Sequence, residues 1–240
     1  MLPSSFRPRD RLISPYRRLI VSWVSAISVS VAPPSISGNP AIWPALVRFV
    51  AEISTACSQL SPSPTAFIPK AKETLRQYSN IEYAVADIQS IPYADQSFDF
   101  VIANMMLYHV PDIPKGLSEV RRVLRGGGAF CCATYGENGI MEYLTGLFRE
   151  YGAQAEANHT FTLQNGREQL RAYFDTVERY DYKDSLEVTD VNDLADYIFS
   201  LAGMSSLRAL PRETIVRVLR GAAVDGVLRV PKEYGLFLAR

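Results

Sequence analysis

Two polar side chains follow apolar, strand-like runs in the middle of the chain. Asp87 follows the run 81–86, and Asn104 follows the run 98–103. A turn that contains Pro92 separates the two runs. Because open parallel sheets bind ligands at the carboxyl ends of their strands, we expect both side chains at one ligand-binding edge. A carboxylate accepts hydrogen bonds and an amide both accepts and donates them. The pattern therefore predicts a cofactor site at this edge.

Each of these residues also has an alternative interpretation. Asp87 is a cofactor contact or a turn residue, since Asp often bonds to its own backbone in turns. Asn104 has the same two alternatives, a ligand contact or a turn. Asp99, at the start of its strand, is expected to make a structural hydrogen bond rather than a ligand contact.

An aromatic pair, Tyr108 and His109, follows the second strand closely. An imidazole titrates near neutrality, so His109 could orient or deprotonate a substrate, with a packed or turn histidine as the alternative. The second histidine, His159, is predicted to lie in a loop or at the surface.

The sequence around these positions resembles the class I S-adenosylmethionine-dependent methyltransferases of the small-molecule type. The resemblance spans roughly residues 70–240, and its motifs are Asp87-Ile88, Phe98-Asp99-Phe100-Val101, the run 104–109, and the run 119–128 leading into a strand. It implies a Rossmann-like, doubly wound α/β sheet with an antiparallel C-terminal strand pair. It also implies S-adenosylmethionine as cofactor and methyl transfer to a small-molecule acceptor. The implied cofactor contacts are Asp87, Ile88, Asn104 and Met105, and the implied acceptor contacts are Tyr108 and His109.

One motif of that family has no counterpart here. The family's Gly-rich loop should precede Asp87, yet Gly38 is the one glycine before residue 116. Such a loop needs glycines for its tight turn and for close backbone approach to the ligand. The alternative function is therefore a catalytically inactive methyltransferase-like remnant or a non-catalytic binding protein.

The composition changes sharply near residue 70. Residues 1–70 hold two acidic and seven basic residues, a net charge of about +5, so the remainder of this neutral chain carries about −5. The same segment holds ten of the fifteen prolines and both tryptophans. We predict an atypical Ser/Pro-rich basic segment, 1–69, and a methyltransferase-like domain, 70–240, with a helical insertion at about 137–210.

Three origins compete for the N-terminal segment. Its basic residues, the apolar run 19–31 and the small residues before two prolines fit a signal peptide. Its composition also fits a partly disordered extension. We favour the third, a shifted reading frame that rejoins the family frame near Lys70, because acid and glycine content change there together. We expect the central first strand of the sheet to come from residues 1–69, with irregular structure around it.

Periodicity predicts the remaining elements of the chain. Strands are expected at 81–86, 129–135 and 177–182, with a final run 227–238 near a sheet edge because Pro231 and Gly235 interrupt it. Asp112 and Pro114 should open a helix that the glycine triplet 126–128 ends in a left-handed turn. Further helices are expected around the apolar sets that begin at residues 71, 141, 168, 191 and 215.

Several partners and environments are disfavoured. The acidic family-like part and the lack of interleaved aromatic and basic residues argue against nucleic acid. No apolar run approaches the roughly twenty residues of a membrane span. Cys57, Cys131 and Cys132 have no metal-ligand spacing and are predicted to be free, which favours a reducing, cytoplasmic compartment over a signal peptide.

Overall fold

A computed structural model of the chain describes residues 18–22, 27–30, 72–73, 76, 82–154, 157–200 and 203–240. Cys57, most of the N-terminal segment and most of the helix predicted to begin at residue 71 lie outside the described residues. None of the helices in these ranges has the length and apolar character needed to cross a bilayer.

The described elements are strands and helices, and after residue 98 helices separate successive strands. The strands are β1 (Arg18–Ser22), β2 (Ile27–Ser30), β3 (Glu82–Val85), β4 (Phe98–Asn104), β5 (Leu124–Tyr135), β6 (Val177–Val188) and β7 (Leu228–Ala239). The helices are α1 (Ile113–Val123), α2 (Ile140–Leu147), α3 (Gly166–Arg171), α4 (Val191–Ser200), α5 (Ser205–Arg208) and α6 (Arg212–Ala222), with 3-10 turns at Leu107–His109 and Arg149–Tyr151. The range 137–210 thus contains β6 as well as helices.

The strands form a seven-stranded sheet in the order β3-β2-β1-β4-β5-β7-β6. Strands β1, β4 and β5 are parallel, and β7 is antiparallel to both β5 and β6. The mixed α/β class and the antiparallel C-terminal pair are therefore confirmed. The central position of β1 also agrees with the expectation that residues 1–69 supply this strand.

The N-terminal half of the sheet departs from a doubly wound pattern. Strand β2 is antiparallel to β1 and to β3. Only residues 23–26 separate β1 from β2, whereas a parallel crossover needs a dozen residues or more. The short connection therefore requires antiparallel pairing. Two successive antiparallel pairings return β3 to the direction of β1, so β1, β3 and β4 end at the same edge.

Helix α1 begins as the sequence predicts. The Asp112 side chain accepts a hydrogen bond from the Lys115 backbone N–H at 3.0 Å, and Pro114 lies in the first turn. Its apolar face is fully buried against β4 and β5, with Leu117 1% exposed and Val120 0% exposed. This packing makes α1 a firm support for the turns that contact it.

The glycine triplet does not end α1. The helix ends at Val123, and the triplet lies inside β5, where the pairing with β4 shifts register. Gly127 has φ +76°, a conformation that suits glycine. A side chain at Gly128 would lie 3.0 Å from the Asp99 carbonyl oxygen. The glycines thus allow a close backbone approach within the sheet, and the predicted helix-ending turn is wrong.

The last strand lies near a sheet edge, as predicted, although it is not the edge strand itself. Strand β7 lies between β5 and β6, and β6 has no strand partner on its other side in the described chain. Pro231 pairs in register with Ser185 of β6, but the pairing with β5 covers only the residues from Tyr234 onward. Pro231 is therefore accommodated where β7 has one partner strand.

Side chains alternate between the two faces of the central strands. Cys132 packs in the cluster that includes the α1 face, whereas Cys131 packs in the cluster on the opposite face. Both thiols are buried and free, as predicted. A further apolar cluster joins α2, α4, α5 and α6 to the start of β7 through Leu228 and Val230.

Candidate functional site

Asp87 lies in the turn immediately after β3, with its side chain exposed. Its carboxylate Oδ1 accepts hydrogen bonds from the Gln89 backbone N–H at 2.8 Å and from the Gln89 Nε2 at 3.2 Å. Its carbonyl oxygen accepts from the Ser90 N–H at 2.9 Å. The residue therefore shapes the turn, and its exposed carboxylate retains acceptor capacity because a carboxylate has about four lone-pair sites.

Ile88, the other half of the first motif, is 4% exposed and belongs to the main core. Its side chain packs close to Gly116 of α1, where an added β-carbon would lie 3.4 Å from the Ile88 Cγ2. The buried side chain holds the Asp87 turn against α1. Any contact of Ile88 with a ligand would then involve its backbone rather than its side-chain tip.

Asn104 ends β4 and is 3% exposed. Its Nδ2 amide has no hydrogen-bond partner among the described residues. A buried amide without a partner costs roughly 1–3 kcal/mol, so such groups are rare unless a ligand or water completes them. Asn104 pairs in register with Ser22 of β1 and Ala133 of β5, at the carboxyl ends of three parallel strands.

Met105 follows with φ +50°, a left-handed conformation that is uncommon for a residue with a β-carbon. Its N–H donates to the Ala133 carbonyl oxygen at 2.9 Å, which ties this conformation to β5. Strained backbone of this kind concentrates at ligand sites. Here it turns the chain out of β4 toward Tyr108.

Tyr108 and His109 lie in the 3-10 turn that follows β4. Their rings contact each other with centroids 4.3 Å apart, and the Tyr108 ring also contacts Tyr135 at 4.5 Å. Tyr135 ends β5 and pairs with Tyr234 of β7. The aromatic pair predicted from the sequence thus becomes part of an aromatic group formed by Tyr108, His109, Tyr135 and Tyr234.

Burial controls the protonation of this aromatic group. It raises the pKa of Tyr108, with smaller contributions from the neighbouring Tyr135 and Tyr234, and it also raises the pKa values of those two phenols. Partial burial of the His109 ring lowers its pKa from 6.5 to about 4, although the residue as a whole is exposed. At neutral pH the phenols are therefore protonated donors, and the imidazole is uncharged, with one nitrogen able to accept a hydrogen bond.

The segment 158–160 makes hydrogen bonds to Tyr108 and Tyr135. The Tyr108 carbonyl oxygen accepts hydrogen bonds from the Asn158 side chain and, at 3.0 Å, from the Thr160 hydroxyl. The Tyr135 hydroxyl donates to the Asn158 carbonyl oxygen. His159 lies in this exposed segment, as predicted. The segment fixes the position of the aromatic group.

Asp99 makes the structural interaction expected of it. Both of its carboxylate oxygens accept from the Arg125 Nη1 at 3.0 Å. This pair joins the start of β4 to the start of β5, the strand ends opposite to the one that carries Asn104. Asp99 therefore serves as a control for Asp87.

The structure brings Asn104, Met105, Tyr108 and His109 together after β4. It places Asp87 at the same sheet edge after β3, with the strands β2 and β1 between β3 and β4. Reasoning from the sequence missed Tyr135, Tyr234 and Gln89. Tyr135 was detectable as the last residue of a predicted strand, by the same argument that selected Asn104. Nothing local in the sequence marks Tyr234.

Comparison with known proteins identifies part of the chain. Residues 44–132 match the model of the methyltransferase domain. This segment belongs to that family. The resemblance to class I methyltransferases is thereby confirmed, and the matched segment begins upstream of the boundary predicted at residue 70.

Two curated relatives are methyltransferases. The malonyl-[acyl-carrier protein] O-methyltransferase of Halorhodospira halophila is 38% identical over 73 residues, which are 30% of this chain and 24% of that protein. The ubiquinone/menaquinone biosynthesis C-methyltransferase of Rickettsia prowazekii is 32% identical over 83 residues, 35% of this chain and 34% of that protein. The chain thus matches a quarter to a third of the length of these relatives. A solved structure, the YcgJ protein of Bacillus subtilis, overlaps with 70% of this chain and 74% of its own at 16% identity, with a TM-score of 0.45.

Proposed function

We propose that this chain is an S-adenosylmethionine-dependent methyltransferase acting on a small-molecule acceptor. The observation that carries the proposal is the buried Asn104 amide without a described partner, at the carboxyl ends of β1, β4 and β5. A ligand at this edge would complete that hydrogen bond. The methyltransferase domain match over the same region supports the assignment.

Four residues would hold the cofactor. The exposed Asp87 carboxylate would accept hydrogen bonds from the adenine end, with Ile88 positioning the turn. Asn104 would donate its free amide N–H, and the turned-out backbone at Met105 would leave room beside it. When bound, S-adenosylmethionine supplies a sulfonium methyl group for in-line transfer to a nucleophile.

The aromatic group would form the acceptor side of the site. The rings of Tyr108 and Tyr135 offer apolar faces against which a planar acceptor could stack. The uncharged His109 imidazole could accept a hydrogen bond from the acceptor at neutral pH, but its pKa of about 4 makes it a weak base there. The remaining contribution of the protein would be alignment, which can supply effective molarities of about 10⁵ M or more.

The acceptor is proposed by class only. The two curated relatives are named for malonyl-[acyl-carrier protein] and for ubiquinone/menaquinone biosynthesis. A malonyl thioester and a quinone precursor are therefore the first acceptors to assay. The aromatic walls favour the quinone precursor, because a ring stacks on them and an aliphatic chain does not.

The proposal is tested by comparing Asp87→Ala with Asp99→Ala. We expect Asp87→Ala to weaken binding of S-adenosylhomocysteine by about 1–3 kcal/mol, since the donor on the ligand loses its charged acceptor. Asp99→Ala should lower the melting temperature and leave the affinity unchanged, because Asp99 pairs with Arg125. Affinity is measured by NMR titration with ligand up to millimolar concentration. Equal affinity loss in the two folded variants would contradict the assignment of Asp87.

A further inference from the structure

The Asp87 carboxylate is held by a single neighbouring side chain. The Gln89 Nε2 donates to both carboxylate oxygens of Asp87, at 3.2 and 3.3 Å, and the Gln89 backbone N–H donates to Oδ1 at 2.8 Å. All the side-chain hydrogen bonds described for this carboxylate therefore come from one residue. The orientation of the carboxylate follows the orientation of Gln89.

Gln89 is itself anchored to a helix. Its Oε1 accepts a hydrogen bond from the Asp112 backbone N–H at 3.1 Å, across 23 residues of sequence. Asp112 is the N-cap of α1, and its own side chain accepts from Lys115. The oxygen of the Gln89 amide thus accepts from the helix N-terminus, and its nitrogen donates to Asp87. These two interactions together fix the orientation of the amide group.

We infer that Gln89 is a positioning residue for cofactor binding, which it serves by orienting the Asp87 carboxylate from the N-terminus of α1. This inference rests on the proposed function, in which Asp87 contacts the cofactor. A carboxylate that is already oriented loses less rotational freedom when the ligand arrives. Removing the Gln89 hydrogen bonds should therefore weaken ligand binding, although Gln89 itself does not contact the ligand.

The variants separate the two halves of the amide. Gln89→Glu keeps an acceptor for the Asp112 N–H, but it replaces the donor with a charge that repels Asp87. Gln89→Met keeps the length of the side chain and removes its hydrogen bonds to both Asp87 and Asp112. We expect each to weaken S-adenosylhomocysteine binding about three- to tenfold. The fold should be retained, because Gln89 lies at the surface end of the turn.

A matched control exists elsewhere in the chain. The Gln164 Nε2 donates to the Glu233 carboxylate at 2.9 Å, and its Oε1 accepts from the Glu137 backbone N–H at 3.0 Å. It has the same arrangement as Gln89, an amide between a carboxylate and a backbone N–H. Gln164→Glu should therefore cost similar stability and leave the affinity for the ligand unchanged.

The decisive measurement is a double-mutant cycle between Asp87→Ala and Gln89→Glu, read by NMR titration with S-adenosylhomocysteine and by thermal melting. If Gln89 acts through Asp87, Gln89→Glu weakens binding in the wild-type background and has no further effect on Asp87→Ala. Equal loss in both backgrounds, or no loss in either, overturns the inference. The proposed function fails separately, if Asp87→Ala binds the ligand as tightly as wild type.

Discussion

At the scale of single residues, burial sets the chemistry available at the acceptor side. Tyr108, Tyr135 and Tyr234 all have raised pKa values because water is excluded around them. They are protonated phenols at neutral pH, so they can donate hydrogen bonds there but cannot act as general bases. The pKa of His109 is lowered instead, since partial burial of the imidazole disfavours its charged form.

We predict that His109 titrates near pH 4 rather than near its ordinary 6.5. Below pH 6.5 the imidazole of His109 binds a proton in the unfolded chain, whereas in the folded protein it stays uncharged until the pH approaches 4. The contribution of His109 to stability is therefore complete above pH 6.5 and is lost as the pH falls toward 4. NMR titration of the imidazole protons measures this directly, with His109→Gln assigning the signal. A midpoint at or above 6.5 would show that the ring is solvated.

At the scale of elements, α1 organises the turn that carries Asp87. Glu119 accepts from the Ile91 N–H at 2.8 Å, and Arg122 donates to the carbonyl oxygens of Ile91 at 2.9 Å and Tyr93 at 2.8 Å. Arg122 also bonds to Glu119 and Asp95. One guanidinium thus uses its fixed set of donors to hold the whole turn on the helix.

We predict that Arg122→Ala lowers the free energy of unfolding by about 1–3 kcal/mol, because two partly buried carbonyl groups lose their donor. Arg122→Lys should recover only part of this, since an ammonium lacks the planar fork. Arg121→Ala is the matched control, and its exposed side chain should change stability by less than about 0.5 kcal/mol. Urea unfolding measures all three. Equal losses at positions 121 and 122 would contradict the anchoring role.

The same contacts give the turn an acid dependence. The hydrogen bonds from Arg122, and to a lesser extent from Ile91, lower the pKa of Glu119 below its ordinary 4.5. Its contribution to stability is present above pH 4.5 and is lost as the pH falls through the lowered value. Melting temperatures between pH 3 and 6 should therefore fall more steeply on the acid side for wild type than for Glu119→Gln. Parallel melting-temperature curves for the two proteins would show that Glu119 contributes nothing to the loss of stability in acid.

At the scale of the whole molecule, the candidate ligand edge of the sheet lacks the glycine loop of the methyltransferase family before Asp87. The antiparallel β1–β2 pair replaces a parallel crossover, and Gly38 remains the one glycine before residue 116. Hydrogen bonds from a glycine loop are worth about 1 kcal/mol each, so losing a few weakens binding by one to three orders of magnitude. Asp87 and Asn104 are at the edge, but they cannot replace that loop.

We therefore predict weak binding of the cofactor by this chain. A ligand at a hundred times its dissociation constant stabilises a protein by about 2.7 kcal/mol. One millimolar S-adenosylmethionine should produce less than that, which places the dissociation constant above about 10 μM. Differential scanning calorimetry over a ligand series measures the shift. A full shift together with methyl transfer would mean that residues 1–69 provide a binding loop. No binding at all would favour the non-catalytic alternative.

The sequence by itself determined the elements that depend on near neighbours. The cap at Asp112, the buried face of α1, the polar residues Asp87 and Asn104 at the ends of their strands, and the apolar faces of α4 and α6 all follow from spacings within a few residues. Such patterns are read from periodicity and capping, because the interacting groups lie within one or two turns of each other.

Only the tertiary structure decided which distant residues meet. It placed β7 inside the sheet, put the glycine triplet inside β5, brought Tyr234 beside Tyr135, and joined Gln89 to Asp112 and Arg122 to the turn before β4. These contacts depend on strand order and register, and the sequence spacing of the partners, 23 residues or more for the hydrogen bonds, carries no periodic signal. The orientation of the Asp87 carboxylate is thus a property of the assembled sheet and helix, not of the motif that contains it.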